Sequence, residues 1–522
     1  MRSDTGAETA PGADPAEPAE PDTHRTRLLG WLAVIGVSSS ILIMIATSVV
    51  RDSWMYPPIV LPVGGAPWDL QSGHISAGVA TVALWIALVA GMGGVMAGLV
   101  AVQRGARPSL RALLIAAAIA VIALTVLPPA GSTDAFDYAS YGRILVLGHS
   151  PYVMTPYHLR LMHNAFSRSV PTTWQHYVSV YGPLATLEQF LAAKLGGMNA
   201  ARIAFWIKLW NSFAFVIIAV IMDRMLRGDP ARRLRAHLLW TINPLLLWVV
   251  VASGHLDVLA AAAGLAGLLV LGEQANAGDR PSLGRVVAAG ALIGVAADIK
   301  INYVLFGLGL AWALRRSLTL LAASAGAALA VLVPSYAAFG TPAIHALAAR
   351  RNGTSADSFY NAFLIEALKR HIGLIAVVLV VAVAVLAFRR MPDGLASRPA
   401  AQAALVLSVA WLFFWPYQFP WYDTMIICLL VFYPASRLDW LVLARITAGA
   451  IPNTPGNPGN PPGHIVAYLH HFSVRVAAPM VLLACAVGLV LLCVYGRWKM
   501  ARTDGPPGAA AGAAALVPSA TS

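Results

Sequence analysis

The chain is 522 residues long, 58% hydrophobic and only 11% charged, with a formal net charge of +13. Soluble domains carry about 25% charged residues, so an ordinary cytosolic enzyme and a disordered chain are both excluded. The positive charge lies mainly in short arginine-bearing loops between apolar runs, the pattern of membrane topology and not of a nucleic-acid-binding face.

Residues 1–24 are rich in Ala, Pro, Glu and Asp and predict a disordered cytoplasmic tail, with no basic segment leading into an apolar core as a signal peptide requires. Residues 25–500 read as one multi-span domain. Apolar runs fall at 28–50, 75–101, 110–128, 201–223, 236–252, 257–272, 286–299, 302–314, 317–334, 371–388, 401–415, 421–435, 438–450 and 474–496. They predict an all-α polytopic membrane protein of about 12–14 transmembrane helices, although several runs fall short of the usual ~20 residues. The run 438–450 carries Arg445 and is the weakest. Placing Arg104, Arg107 and Arg111, the group from Arg224 to Arg235, Arg315 with Arg316, and the group after 496 on the cytoplasmic side is self-consistent. The loops 51–74, 129–200 and 335–370 then face outward, with short interfacial helices expected in the longest. Residues 451–463 predict a flexible external linker and 501–522 a disordered tail. The three cysteines, Cys428, Cys485 and Cys493, lie in apolar runs without metal-ligand spacing.

Two hairpins are too short. Only 29 residues separate Arg285 from Arg315. Two helices sharing them reach about 22 Å each, against a hydrocarbon core of about 30 Å. The tip Asp298-Ile299-Lys300-Ile301-Asn302 should therefore be recessed into the outer half of the membrane. The same arithmetic recesses Ser253-Gly254-His255-Leu256-Asp257 between Arg235 and Glu273. Polar backbone at that depth must be buried in protein or line a wet cavity, so one shared outward-facing cavity is expected.

The densest polar cluster, Gly131-Ser132-Thr133-Asp134 through Asp137, Tyr138, Tyr141 and Arg143, opens the large outer loop. Ser132 or Thr133 can cap a helix whose first turn holds both acids on one face. That spacing fits a capped interfacial helix as well as a catalytic one. His255, Asp257 and Lys300 are functional candidates because ionisable groups inside a membrane are costly; Lys300 has the plainer option of pairing with Asp298.

Six motifs in order resemble one family. They are Asp134-Ala135-Phe136-Asp137-Tyr138-Ala139-Ser140-Tyr141-Gly142, Gly148-His149-Ser150-Pro151-Tyr152, Tyr181-Gly182-Pro183, Asn243-Pro244 leading to Gly254-His255-Leu256-Asp257, Lys300, and Pro420-Trp421-Tyr422. Together they resemble the actinobacterial polyprenol-phosphate-mannose-dependent α-1,6-mannosyltransferases that build lipomannan. Asp137 stands where the family usually has Ser, and Ile301 where it often has Pro. The resemblance implies a GT-C-like bundle in the plasma membrane, with its active site on the extracytoplasmic side. It implies transfer of mannose from polyprenyl-phosphate mannose to a glycan or lipoglycan acceptor, with inversion. Asp134 is then the general base and Asp137 a possible second acid. Lys300, His255 and Arg143 are candidates for the donor phosphate, and Tyr138, Asp257 and Trp421 for the sugar or acceptor. No cofactor or metal is expected, since two carboxylates alone make a poor cation site. The competing reading is a transporter or flippase of a lipid-linked or polar substrate. It is disfavoured by the absence of a visible repeat and by polar loops gathered on one side.

Overall fold

A computed structural model of the chain describes residues 23–49, 75–163, 166–171, 174–272, 281–348, 353–364, 366–390, 398–453, 464–496 and 498. The loop 51–74, the C-terminal tail, nearly all of the N-terminal tail and most of the linker 451–463 lie outside the described residues. Among the described residues every regular element is helical. Seven helices are long and apolar enough to cross a membrane: His24–Val49, Gly78–Gln103, Ala200–Met225, Pro230–Ala252, Leu318–Phe339, Ile372–Arg390 and His464–Tyr495. Four shorter apolar helices join them: Leu110–Val126, Asp257–Val270, Ile301–Leu314 and Pro399–Phe414. The chain is an all-α, multi-pass membrane protein.

Hydropathy decides which helices lie outermost. Leu28, Trp31, Ile35 and Leu42 on the first helix, Ile115, Ile119 and Ile122 on the third, and Leu374, Val378 and Val381 are all exposed. In water such a rim would be untenable, whereas in lipid it costs nothing. Within Pro230–Ala252, every residue from 234 to 252 is buried, which places this segment inside the bundle. Its Trp240 and Trp248 are among the largest fully buried side chains.

Both polar tips are present as turns between helices, although Pro230–Ala252, which leads to the 253–257 tip, is at 23 residues long enough to cross a membrane. Leu283–Ile299 ends at Lys300, which is extended (φ −149°, ψ 117°), and a 3-10 turn, Ile301–Tyr303, leads into Val304–Leu314. Eleven residues make a helix of about 16 Å, too short to cross alone. The central segment closes in a π-helical stretch, Leu247–Ala252, before the turn that carries His255. Such widened turns recur at functional sites because they re-aim the residues that follow. The helices Asp134–Val146, Pro156–Leu161 and Pro183–Gly196 lie in the long loop 129–200, and the first packs on the third.

One expected span is different. The run 421–435 is not a single helix but a 3-10 turn, Pro420–Asp423, followed by the seven-residue helix Thr424–Leu430. At 1.5 Å per residue that helix reaches only about 10 Å. The run 438–450 is helical, as Arg437–Ala450, with Arg445 buried.

Candidate active site

The helix Asp134–Val146 is reached through the turn after Leu127, and four contacts fix that turn. Ala130 N–H donates to Ala252 O at 3.1 Å, and Ser253 Oγ donates to Ala130 O at 2.6 Å. Lys208 Nζ donates to Leu124 O and Leu127 O, each at 2.5 Å. A cation suits these carbonyls because they close a helix C-terminus. The Lys208 stem also lies under the second tip: a Cβ on Gly254 (φ +74°) would sit 2.8 Å from Lys208 Cγ. Three residues on, Asn211 Nδ2 donates to Gly254 O at 3.1 Å. One face of Ala200–Met225 therefore holds both the segment leading to Asp134 and the turn carrying His255.

Ten of the thirteen residues of Asp134–Val146 are buried, so its acids are not the solvated face of an interfacial helix. The helix start is served by a hydroxyl, as the spacing suggested, but it is that of Ser132: its Oγ accepts from Asp134 N–H at 3.2 Å. Thr133 is the N-cap residue but has helical dihedrals (φ −85°, ψ −11°) and makes no cap bond, since capping needs an extended residue. Its Oγ1 donates to Asp137 Oδ2 at 3.1 Å, while Ser132 Oγ donates to Asp134 Oδ1 at 3.1 Å. Burial pushes the Asp134 carboxyl up to about 6, against the opposing pull of the Ser132 hydroxyl and the Lys300 charge. Burial, and then the Asp134 charge, push Asp137 well above the usual carboxylate range.

Asp134, Tyr138 and His255 meet. The Tyr138 hydroxyl is 3.4 Å from both Asp134 Oδ2 and His255 Nδ1, and Nδ1 is 3.5 Å from Oδ2. One phenolic proton cannot serve both acceptors. When it goes to Nδ1, the imidazole carries its own proton on Nε2 and faces outward as a donor. His255 is fully buried, yet Nε2 has no partner among the described residues. Its ring lies flat on Trp421, with centroids 3.6 Å apart and 15° between planes. Trp421 also stacks on Phe419 at 4.7 Å and 4°.

The tip 298–302 supplies the cation. Lys300 Nζ is 2.6 Å from both oxygens of Asp257. It lies 4.1 Å from the ring centroid of Tyr422 and 5.9 Å from that of Tyr181, within cation–π range. Asp298 is not its partner. Two residues apart, they face different ways: Asp298 is still helical and Lys300 is extended. Asp298 Oδ1 instead accepts from Leu184 N–H at 3.0 Å and Oδ2 accepts from Ser335. A Cβ at Gly182 would stand 1.4 Å from Asp298 O, so only glycine fits where the Tyr181 segment crosses this tip.

The two tips, the loop 129–200 and the turn Pro420–Asp423 thus bring together Asp134, Tyr138, His255, Asp257, Lys300 and Trp421. Asp137 stands one helical turn from Asp134. Arg143 lies nine positions along, about 13 Å at helical rise, and makes no hydrogen bond or ion pair among the described residues. The sequence reading missed Lys208, Asn211 and the aromatic contacts to Lys300. Lys208 had a visible signal, as a lysine inside an otherwise apolar helix. Among the described residues no group of three or more His, Cys, Asp or Glu side chains could hold a metal ion.

No curated protein and no solved structure matches the chain. A family profile described as the N-terminal domain of alpha-(1->6)-mannopyranosyltransferases matches residues 33–316, more than half of the chain. The matched stretch holds every residue of the cluster but Trp421 and Tyr422. With both polar tips and the Asp134 helix inside it, the chain belongs to this alpha-(1->6)-mannopyranosyltransferase family.

Proposed function

We propose that the protein moves mannose from polyprenyl-phosphate mannose to a glycan or lipoglycan acceptor, forming an α-1,6 linkage with inversion. The site lies on the extracytoplasmic side of the plasma membrane, in a GT-C-like bundle. The observation that carries this reading is a buried carboxylate, Asp134, 3.5 Å from His255 Nδ1, together with a buried cation, Lys300, held at 2.6 Å by Asp257 two residues after that histidine.

The acceptor hydroxyl attacks the anomeric carbon opposite the phosphate, and its proton passes to the Asp134 carboxylate. The bond from that carbon to the phosphate oxygen breaks, and the phosphate departs with the electron pair. Charge on the sugar ring peaks in an oxocarbenium-like transition state. A phosphate leaving group needs little protonation but does need charge stabilisation. The Lys300 ammonium and the free His255 Nε2–H supply it from fixed positions, with no reorganisation at the moment of reaction. Asp257 and the faces of Tyr181 and Tyr422 hold Lys300 in place. Tyr138 orients His255 and Asp134 beside the sugar, and Trp421 is the platform on which His255 rests. Arg143, further along the outer helix, is the remaining candidate for the donor phosphate.

The test is transfer of labelled mannose from polyprenyl-phosphate mannose to a short α-1,6-mannoside in membranes containing the protein. Product with the α-1,6 linkage supports the reading. Absence of product with a correctly inserted protein, while another lipid-linked sugar is transferred, would overturn the donor assignment.

A further inference from the structure

Arg445 was the anomaly of the sequence, a charge in the weakest apolar run. It is 3% exposed, and the structure uses every nitrogen of its guanidinium. Nε donates to Leu412 O at 3.1 Å, Nη1 to Asp423 Oδ1, and Nη2 to Gln418 Oε1 at 2.5 Å. All three partners lie on one stretch, 412–423, where Pro399–Phe414 ends and the 3-10 turn Pro420–Asp423 begins. One helical turn beyond Arg445, a Cβ on Gly449 would touch Pro420 Cβ at 3.1 Å, so the same helix also supports the turn from beneath. From the outer side, Ser355 Oγ donates to Pro416 O at 3.1 Å and to Gln418 O at 3.0 Å.

What this grip encloses is the aromatic side of the site. Phe419, Trp421 and Tyr422 lie between the Gln418 and Asp423 anchors. Trp421 is the ring under His255, and Tyr422 is the ring nearest the Lys300 ammonium. The next residue, Thr424, shares a 3.1 Å hydrogen bond with the Tyr303 hydroxyl, which donates to Asp257 O at 3.0 Å. A buried ion pair is a poor way to stabilise a bundle, because desolvation offsets most of its attraction. What it does fix is a geometry, since a planar fork meets its acceptors in one orientation only.

We infer that Arg445 is a positioning residue for donor binding: through Asp423, Gln418 and Leu412 it sets the height and tilt of Trp421 and Tyr422, and so the places of His255 Nε2 and Lys300 Nζ relative to the donor phosphate. Arg445 touches no substrate itself, because it is 3% exposed and each of its three nitrogens donates to the chain. The inference rests on the reading of Lys300 and His255 as the phosphate-binding pair. It lies beyond residue 316, outside the matched family segment.

The test compares Arg445→Gln, Arg445→Lys and Asp423→Asn with the parent in detergent, each corrected for the amount of folded protein. Two quantities are measured: binding of sugar-free polyprenyl phosphate, and the KM for polyprenyl-phosphate mannose and for the α-1,6-mannoside acceptor. Arg445→Gln should weaken polyprenyl-phosphate binding and raise donor KM by the same factor, about tenfold, with acceptor KM unchanged. Arg445→Lys keeps the charge for Asp423 but loses the fork, and should fall between the two. Asp423→Asn keeps the shape and serves if the arginine variants do not accumulate; it should follow Arg445→Gln. Variants that bind and turn over like the parent, or that raise acceptor KM instead, would overturn the inference alone. A parent that neither binds polyprenyl phosphate nor uses the donor would overturn the donor reading, and the inference with it.

Discussion

Two buried ionic clusters sit at opposite ends of Pro230–Ala252, and they are built differently. At the start of the segment, Arg235 meets Asp439 through Nε at 2.8 Å and Nη2 at 2.6 Å, and Nη1 donates to Tyr433 O at 2.9 Å. Nearby, Asp223 takes Arg233 at 2.6 Å and His237 Nε2 at 3.1 Å, while His237 Nδ1 pairs with Thr241 at 2.8 Å. Every polar side-chain atom of Arg235, Asp439 and His237 has a partner. At the far end, by contrast, contacts around Asp134 stretch to 3.4–3.5 Å, and His255 Nε2 and Asp137 Oδ1 are left alone. Orphaned buried polar atoms are costly. The Arg235 cluster has no side-chain atom left to offer a ligand, whereas the Asp134 cluster leaves His255 Nε2 without a partner among the described residues.

That contrast can be broken by substitution. The largest effect belongs to Asp134→Asn. Removing the base should lower transfer by about 10³-fold, within the range for a general base, with unchanged accumulation in membranes. Lys300→Gln comes next. Loss of the cation at the leaving group should cost about 10²-fold, measured as transfer at saturating acceptor; parental turnover would return Lys300 to a purely structural role.

The pH dependence sharpens the same point. Asp134 acts as its carboxylate, and burial raises it to about 6. Transfer should therefore be constant above that value and fall about tenfold per pH unit below it. A rate that is flat down to pH 4.5 would show that Asp134 does not titrate in the reaction.

The smallest effects separate scaffold from site. Lys208→Met removes the clamp that holds both turns and should lower transfer about tenfold, because small misplacements are amplified in the rate. Arg235→Met should reduce the yield of folded protein, as breaking a buried pair costs about 3–5 kcal/mol. It should leave transfer per folded molecule within about twofold of the parent, as expected of a residue outside the reacting geometry.

Much of this was legible in the sequence, for identifiable reasons. Helix length against bilayer thickness pointed to both polar tips, because the count of apolar residues between charged loops is a direct measure of reach. His255, Asp257 and Lys300 stood out because charges in apolar runs need a reason, and Asp134 because it belongs to the densest polar cluster in the chain. Which charge meets which was not legible. Lys300 pairs with Asp257, 43 positions away, and not with Asp298 beside it, because the helix ends between them. That Ser132 and not Thr133 meets the first N–H of the Asp134 helix depends on the dihedrals of Thr133, which spacing does not reveal. Lys208 and Arg445 were visible as charges in apolar runs. The role of Lys208 was hidden because its partners are backbone carbonyls, which any residue type can offer, and that of Arg445 because Asp423 and Gln418 lie 22 and 27 positions away.

The most direct measurement is mannose transfer per folded molecule for the parent, Asp134→Asn and Arg235→Met side by side, using labelled polyprenyl-phosphate mannose and a short α-1,6-mannoside. The account predicts product from the parent and from Arg235→Met at comparable rates, and essentially none from Asp134→Asn. Normal transfer by Asp134→Asn, or an equal loss in Arg235→Met, would contradict the division between the open cluster and the closed one.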